Sequence, residues 1–251
     1  MFLNKMDWFH FSYDIHGNVK TMVQELFPFG DAAVGEAYFA QIEWTVYGKI
    51  KKITRATTST KPDLEFAYDA GGNRVAKIVK DKSGEINTTY YLRDATGNVM
   101  AVYAQRNTQP MKLNENHIYG SSRLGISRPN VNNQIVANGN EISNTITLGD
   151  KDYELTDHLG NVRAVVSDAV DGGGNVTVTG AFDYYPFGMK MMGRVANLQT
   201  AEDNKTGYRY GYNGKEQDFS MKNIDGADYD YGARIYDARV ARFFRVRSII
   251  T

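Results

Sequence analysis

Cysteine is absent from this 251-residue sequence, which removes disulfides, thiolate zinc sites and a thiol nucleophile from consideration. Charge of one sign is also missing. The 29 Lys and Arg balance 29 Asp and Glu, so the phosphate-facing excess of a dedicated nucleic-acid binder is not there. No run of 18 apolar residues occurs, so no membrane span is expected. The first residues, Met1 to Phe11, are interrupted by Lys5 and Asp7 and lack a small-residue cleavage site, so they do not read as a signal peptide. Proline is scarce, at 5 against 24 glycines, so turns must rest on glycine. What remains is enough for a core: 42% hydrophobic residues, with 17 Tyr.

A short motif, D-x-x-G-N, recurs at Asp14–Asn18, Asp69–Asn73, Asp94–Asn98 and Asp157–Asn161. A degenerate copy is Val46-Tyr47-Gly48-Lys49-Ile50. The Asp side chain initiates a turn, the glycines (Gly17, Gly72, Gly97, Gly160) accept positive φ, and the asparagines (Asn18, Asn73, Asn98, Asn161) tolerate the left-handed region. Tyr13 and Tyr68 precede two copies and β-branched residues follow all four, so each copy predicts strand, turn, strand. The intervals of 55, 25 and 63 residues suggest hairpins with insertions rather than a fixed-period solenoid. Period-2 alternation at Val176–Thr179 and at Tyr208, Tyr210 and Tyr212 adds further strands. One short helix is expected within Asp31–Tyr47. Gln105–Asn116, Ser127–Asn144 and Gly193–Gly207 read as exposed polar loops. The fold class is all-β, an antiparallel hairpin strip.

Five ordered blocks carry a family resemblance. They are Tyr119-Gly120-Ser121-Ser122-Arg123-Leu124-Gly125; Tyr153 to Arg163, with Asp157, His158, Gly160 and Asn161; Tyr184-Tyr185-Pro186-Phe187-Gly188-Met189; Tyr208 to Glu216, with Tyr210, Asn213, Gly214, Lys215 and Glu216; and Tyr229 to Arg239, with Tyr231, Gly232, Arg234, Tyr236, Asp237 and Arg239. With Arg242 and Phe243 they resemble the RHS repeat-associated core region of RHS/YD-repeat proteins, in its Bacteroidetes-like form. Residues 1–118 look like degenerate YD repeats, and residues 119–247 like the core region, truncated at its C-terminal end.

The resemblance implies a spiralling β-shell that scaffolds or encapsulates a C-terminal effector absent from this chain. It implies as partners the remaining YD-repeat shell upstream, a C-terminal toxin domain and its immunity protein. It places full-length relatives outside the cell or on its surface. Some members cleave themselves as aspartyl proteases at an Asp-Pro dipeptide. Here Ala238 stands where Pro is usual, Ala241-Arg242-Phe243 replaces Gly-Arg-Phe, and Arg247-Ser248 occupies the Asp-Pro position. No catalytic role is carried over and no autoproteolysis is expected. A single inserted base before codons for Asp-Pro-Leu would produce Arg247-Ser248-Ile249. That frameshift hypothesis is tested by translating the downstream DNA in the other frames.

Other constellations favour structural readings. His10, His16, His117 and His158 lack metal-ligand spacing. The acidic cluster Asp225, Asp228, Asp230 and Asp237 lacks an EF-hand pattern and reads as turn and ion-pair residues. No cofactor is expected. Asp171-Gly172-Gly173-Gly174-Asn175 precedes β-branched residues rather than a phosphate-binding helix, so it reads as a flexible hairpin tip. The tyrosines read as sheet packing; the alternative is a platform for surface glycans in an adhesion or carbohydrate-binding module. The arginines Arg234, Arg239, Arg242, Arg245 and Arg247 are expected to pair with the nearby aspartates.

Overall fold

A computed structural model of the chain describes residues 8–13, 19–25, 37–39, 41–128, 148–197, 207–222, 224–232 and 234–244, the first three segments as backbone strands. Strands β1 (Trp8–Tyr13), β2 (Val19–Glu25) and β3 (Ala37–Phe39) form a small antiparallel sheet in that order. A twelve-stranded antiparallel meander follows. It comprises β4 (Gln41–Trp44), β5 (Ile50–Thr54), β6 (Asp63–Tyr68), β7 (Arg74–Lys80), β8 (Ile86–Arg93) and β9 (Val99–Arg106). It continues through β10 (Lys112–Tyr119), β11 (Arg123–Ser127), β12 (Lys151–Thr156), β13 (Val162–Val170), β14 (Val176–Tyr184) and β15 (Lys190–Asn197). Every strand pairs with its sequence neighbours, so the sheet is a continuous strip without crossovers.

The all-β expectation holds: among the described residues the single α-helix is α1 (Phe219–Lys222). Within Asp31–Tyr47, where one short helix is expected, the described residues form β3, β4 and the start of a turn at Thr45–Tyr47; residues 31–36 and 40 lie outside the described residues. Trp44 pairs with Ile50 around a tight turn, and Gly35 already interrupts the alanine pattern on which a helix would rest.

The turns repeat one geometry. At Asp69, Asp94 and Asp157 the Asp amide donates to the Asn carbonyl four residues on (2.9, 2.9 and 3.0 Å). In each, the Asn amide donates back to the Asp carboxylate (2.8–3.0 Å). Gly160 closes the third turn at φ +78°, a value that costs a side chain dearly and glycine nothing. The same backbone bonds recur at Thr45–Lys49, Asp81–Glu85, Asp171–Asn175, Tyr185–Met189 and Gly211–Lys215. Asp171-Gly172-Gly173-Gly174-Asn175 forms the hairpin tip between β13 and β14 and is a fifth D-x-x-G-N turn, with Asn175 donating to Asp171. With these copies included, the rhythm becomes regular. Thr45, Asp69, Asp94 and Tyr119 begin successive turns on one rim, spaced 24, 25 and 25 residues, one hairpin apart. The uneven intervals of the sequence motif arise because intervening turns have lost the signature, and because 129–147 lengthen one connection.

The C-terminal segment, residues 207–244, forms a compact plug. It contains a 3₁₀ turn at Tyr212–Gly214 and a four-stranded sheet in sequence order: β16 (Glu216–Gln217), β17 (Asp228–Asp230), β18 (Ile235–Asp237) and β19 (Arg242–Phe243). Tyr208 and Tyr210 lie in extended chain bridged to Glu216, whereas Tyr212, expected in the same strand, turns into the 3₁₀ segment. The plug packs on one face of the strip through two apolar clusters. Ile42, Ile50, Ile53, Leu64 and Phe66 of β4–β6 enclose Met221 and Ile235 of the plug. Ile126, Val162, Val165 and Phe182 of β11–β14 enclose Tyr208 and Tyr210.

Candidate functional site: the plug and the cleft at the hairpin rim

Between the two apolar clusters the inner face of the strip is charged. Phe66 pairs with Lys77 across β6 and β7, and Val102 pairs with Glu115 across β9 and β10. Period-2 alternation therefore carries Lys77, Glu115 and His117 to the covered side, where all three are buried. Gln105–Asn116, expected to be an exposed loop, is instead β9, a turn and β10. Glu115 faces inward because the plug supplies its partner.

That partner is Arg209, whose guanidinium lies 2.8 Å from Glu115 and 3.0 Å from Glu216. Burial alone would raise the Glu115 carboxyl, but Arg209 outweighs it and holds the pKa below the usual carboxylate range. Tyr210 donates its hydroxyl or accepts at the His117 ring nitrogen, 2.9 Å away. At the next strands Arg74, 1% exposed, meets Asp218 at 3.1 Å and Asp230 at 3.2 Å, with its guanidinium 4.6 Å over Phe66. Burial opposes the Arg74 charge; Asp230 and Asp218 overcome it and raise its pKa. Lys77 reaches the other oxygen of Asp218 at 2.5 Å. Lys190 of β15 binds Asp225 at 3.0 Å, and Arg55 donates to the carbonyls of Ser220 and Met221. A belt of ion pairs thus ties the plug to strands as far apart as β7 and β15.

The aspartate cluster is accounted for by cations from elsewhere. Asp225 takes Lys190, Asp230 takes Arg74, and the buried Lys222 ammonium sits between Asp228 and Asp237. Of the arginine run expected to serve these aspartates, Arg239 does pair with Asp237 at 3.1 Å. Arg234 instead lies 4.8 Å over the Phe243 ring, and Arg242 is exposed without an ion pair among the described residues. Lys222 reaches the aspartates from inside the plug, which leaves the arginines outside. Arg245 and Arg247 lie outside the described residues.

The residues singled out by sequence converge on one rim. A meander returns to the same rim every second turn. Asp69, Gly72, Asn73, Asp94, Gly97, Asn98, Tyr119, Gly120, Asp157, His158, Gly160 and the Tyr185-Pro186-Phe187-Gly188 turn therefore line one side of the strip. The plug leans on that side. Asn213 donates to the Leu159 carbonyl, and its amide N–H donates to Asn161 at 2.8 Å. Arg123 donates to the Gly214 carbonyl, and the Tyr229 hydroxyl donates to the Gly188 carbonyl at 2.9 Å. The Tyr212 ring occupies the space a Gly188 side chain would need, and Gly188 has φ +93°. Tyr231, Tyr236 and Phe243 form an edge-on aromatic group, with centroids 5.1–5.5 Å apart, on the plug surface. Tyr68 faces inward and donates to the Ile50 carbonyl. Asp14, Gly17 and Asn18, and His16, lie outside the described residues. Among the described residues, no three His, Asp or Glu side chains are grouped to hold a metal ion.

Sequence reasoning missed Arg74, Lys77, Glu115, Arg209 and Asp218. The available signal was a charged residue at a period-2 position where an apolar one was due, as at Glu115 and His117 in β10.

Where plug and rim meet, a cleft of about 740 Å³ opens. Its walls bring together Asn73, Asn98, Tyr119, Arg123, Lys215 and Tyr231 from the motif set, with Arg93 from β8.

This is the architecture of a β-shell strip, a hairpin meander closed on one face by its own C-terminal plug. Solved structures with a similar fold include the following. The crystal structure of TcdB2-TccC3 without its hypervariable C-terminal region aligns over 94% of this chain with a TM-score of 0.55 at 15% identity. The Photorhabdus luminescens Tc holotoxin pore aligns over 94% with a TM-score of 0.52 at 15% identity. The chain thus has an RHS-like β-fold. By sequence it is 29% identical over 192 residues, 73% of its length, to Salivary gland surface protein 1 of Aedes aegypti. It spans 5% of that protein's length and 12% of the length of the toxin chains. No protein-family model matches the chain.

Proposed function

We propose that the chain is a structural segment of an RHS-type shell, in which the plug seals the inner face of the strip and no chemistry is performed. The observation that carries this reading is the belt of buried ion pairs. The pairs of Arg74 with Asp218 and Asp230, and of Arg209 with Glu115, match buried charge on the strip to buried charge on the plug, so this face is complementary to this one segment in this one placement. In a full-length protein the strip would continue into further YD-repeat hairpins. The plug would then close a shell around a C-terminal toxin domain, with an immunity protein protecting the producer, outside the cell or at its surface.

Two measurements test this. A chain carrying a C-terminal tag should keep it through purification and storage; spontaneous release would overturn the non-catalytic reading. A chain extended at its N-terminus by designed YD-repeat hairpins should form a curved, hollow particle in electron micrographs. A solid globule would overturn the shell reading.

A further inference from the structure

We propose that the buried triad Lys222, Asp228 and Asp237 closes an intramolecular isopeptide bond between Lys222 and Asp228, a covalent modification beyond the shell role. It changes the chain once and acts on no other molecule. The three groups come from three elements of the plug. Lys222 ends α1, and Asp228 and Asp237 are paired residues of β17 and β18. Carboxylates directly opposite each other on two strands repel, so the pair needs a cation between them. The Lys222 ammonium fills that place, bonded to Asp228 and 2.7 Å from Asp237. The side chains of Lys222, Asp228 and Asp237 are only 0%, 1% and 5% exposed.

The two carboxylates are not equivalent. Asp237 accepts from the Arg239 amide (3.0 Å), from two nitrogens of its guanidinium (3.2 and 3.1 Å) and from Lys222. The Asp228 side chain accepts from Lys222, and its second oxygen is buried with no partner among the described residues. Burial pushes the Asp228 pKa up to about 6, which favours its neutral, electrophilic form. Burial opposes the Asp237 charge too, but Lys222 and Arg239 hold it ionised. Asp228 is thus the acyl partner and Asp237 the proton carrier.

An amine nitrogen in hydrogen-bond contact with a carboxyl oxygen is within reach of its carbon, and pairs fixed in this way react with effective molarities of about 10⁵–10⁸ M. Lys222 Nζ gives a proton to Asp237 and attacks Cγ of Asp228. The Nζ–Cγ bond forms, a Cγ–Oδ bond breaks, and the oxygen leaves as water. Of the three ammonium protons one stays on the amide nitrogen, and Asp237 carries the other two to the departing oxygen. Any proton already on Asp228 is released to solvent. A cation and a carboxylate disappear together, and Asp237 keeps Arg239, so no buried charge is stranded. The Phe244 ring, 4.8 Å from Nζ, and the buried Met221, Ala227 and Ala238 exclude the water that would reverse the step. In the structure the bond is open, and Asp228 is then a titratable carboxyl.

The test is intact-mass spectrometry of the full chain, fresh and after incubation at neutral pH, followed by tryptic mapping. The expected result is a growing species lighter by one water, with a peptide that trypsin no longer cuts after Lys222 because its ammonium is consumed. A chain that stays at its full sequence mass overturns the proposal. The neighbouring Asp225-Gly226 dipeptide can also lose water, as a succinimide. A dehydrated peptide that is still cut after Lys222 therefore overturns the proposal as well. Asp228→Ala leaves Lys222 its pair with Asp237 and should keep the full mass; water loss with Lys222 blocked in that variant overturns the assignment to Asp228. Asp237→Asn should slow closure about a hundredfold or more, and an unchanged rate overturns its role as proton carrier. If either variant fails to fold, the mapping of the natural chain still decides.

Discussion

At Gly160 the surroundings are open: no atom would contact an added Cβ, so any cost of substitution comes from the backbone alone. At φ +78° a β-branched residue is strained, and Gly160→Val should lower stability by about 1 kcal/mol or more. Thermal denaturation that leaves the midpoint unchanged would refute the turn's role. Asp228 poses a different problem. It is 1% exposed and shares Lys222 with Asp237, and its second oxygen has no partner. Burial pushes its pKa up to about 6 despite Lys222, with Asp237 adding to the rise. A carboxyl with a folded pKa above its unfolded value stabilises the fold while protonated and loses that contribution as pH rises from about 4 through 6. Asp237 has the opposite sign: burial opposes its charge, but Lys222 and Arg239 hold its pKa down, so its contribution is lost on acidification. Asp228→Asn should therefore gain stability relative to the natural chain between pH 4 and pH 7, read by urea denaturation at both values. A difference that stays constant across that window would show that Asp228 does not titrate there.

The plug is the element on which the fold turns, and Arg74 is its anchor. Removing one partner of a buried ion group leaves the others under-compensated, so Arg74→Met should cost about 3–5 kcal/mol, because Asp230 loses its ion pair and Asp218 keeps only Lys77. Hydrogen exchange should accelerate first at β16–β18, with β13–β14 little changed. Uniform acceleration would mean that plug and strip unfold as one unit. The D-x-x-G-N turns at Asp69, Asp94 and Asp157 were readable because their geometry is set by residues adjacent in sequence. The copy at Asp171 is masked by its run of glycines, although Asp171, Gly174 and Asn175 all keep the pattern. Glu115 and its neighbours looked like a polar loop because the reason for their burial, Arg209, lies 94 residues away. Local chemistry is legible in a sequence; which face of a strand will be covered by a distant segment is not.

At the scale of the whole molecule, a meander of twelve strands must end somewhere, and it ends at β15. Lys190–Asn197 pairs with β14 on one side, and among the described residues no strand pairs with the other. An uncovered edge is a template for further strand pairing. In a shell a neighbouring strip would cover it; in the isolated chain a second copy is the available substitute. The strand departs from simple pairing between Tyr184 and Phe182, where a bulge carries the 85%-exposed Met192. That bulge blunts the edge without blocking it. The purified chain should accordingly associate as its concentration rises, in sedimentation velocity runs over a hundredfold range. Met192→Pro should suppress the association by removing an N–H and stiffening the edge, with little effect on the buried core. A chain that stays monomeric throughout would count against the reading of this strip as part of a larger shell. Association that Met192→Pro leaves untouched would locate the contact elsewhere than β15.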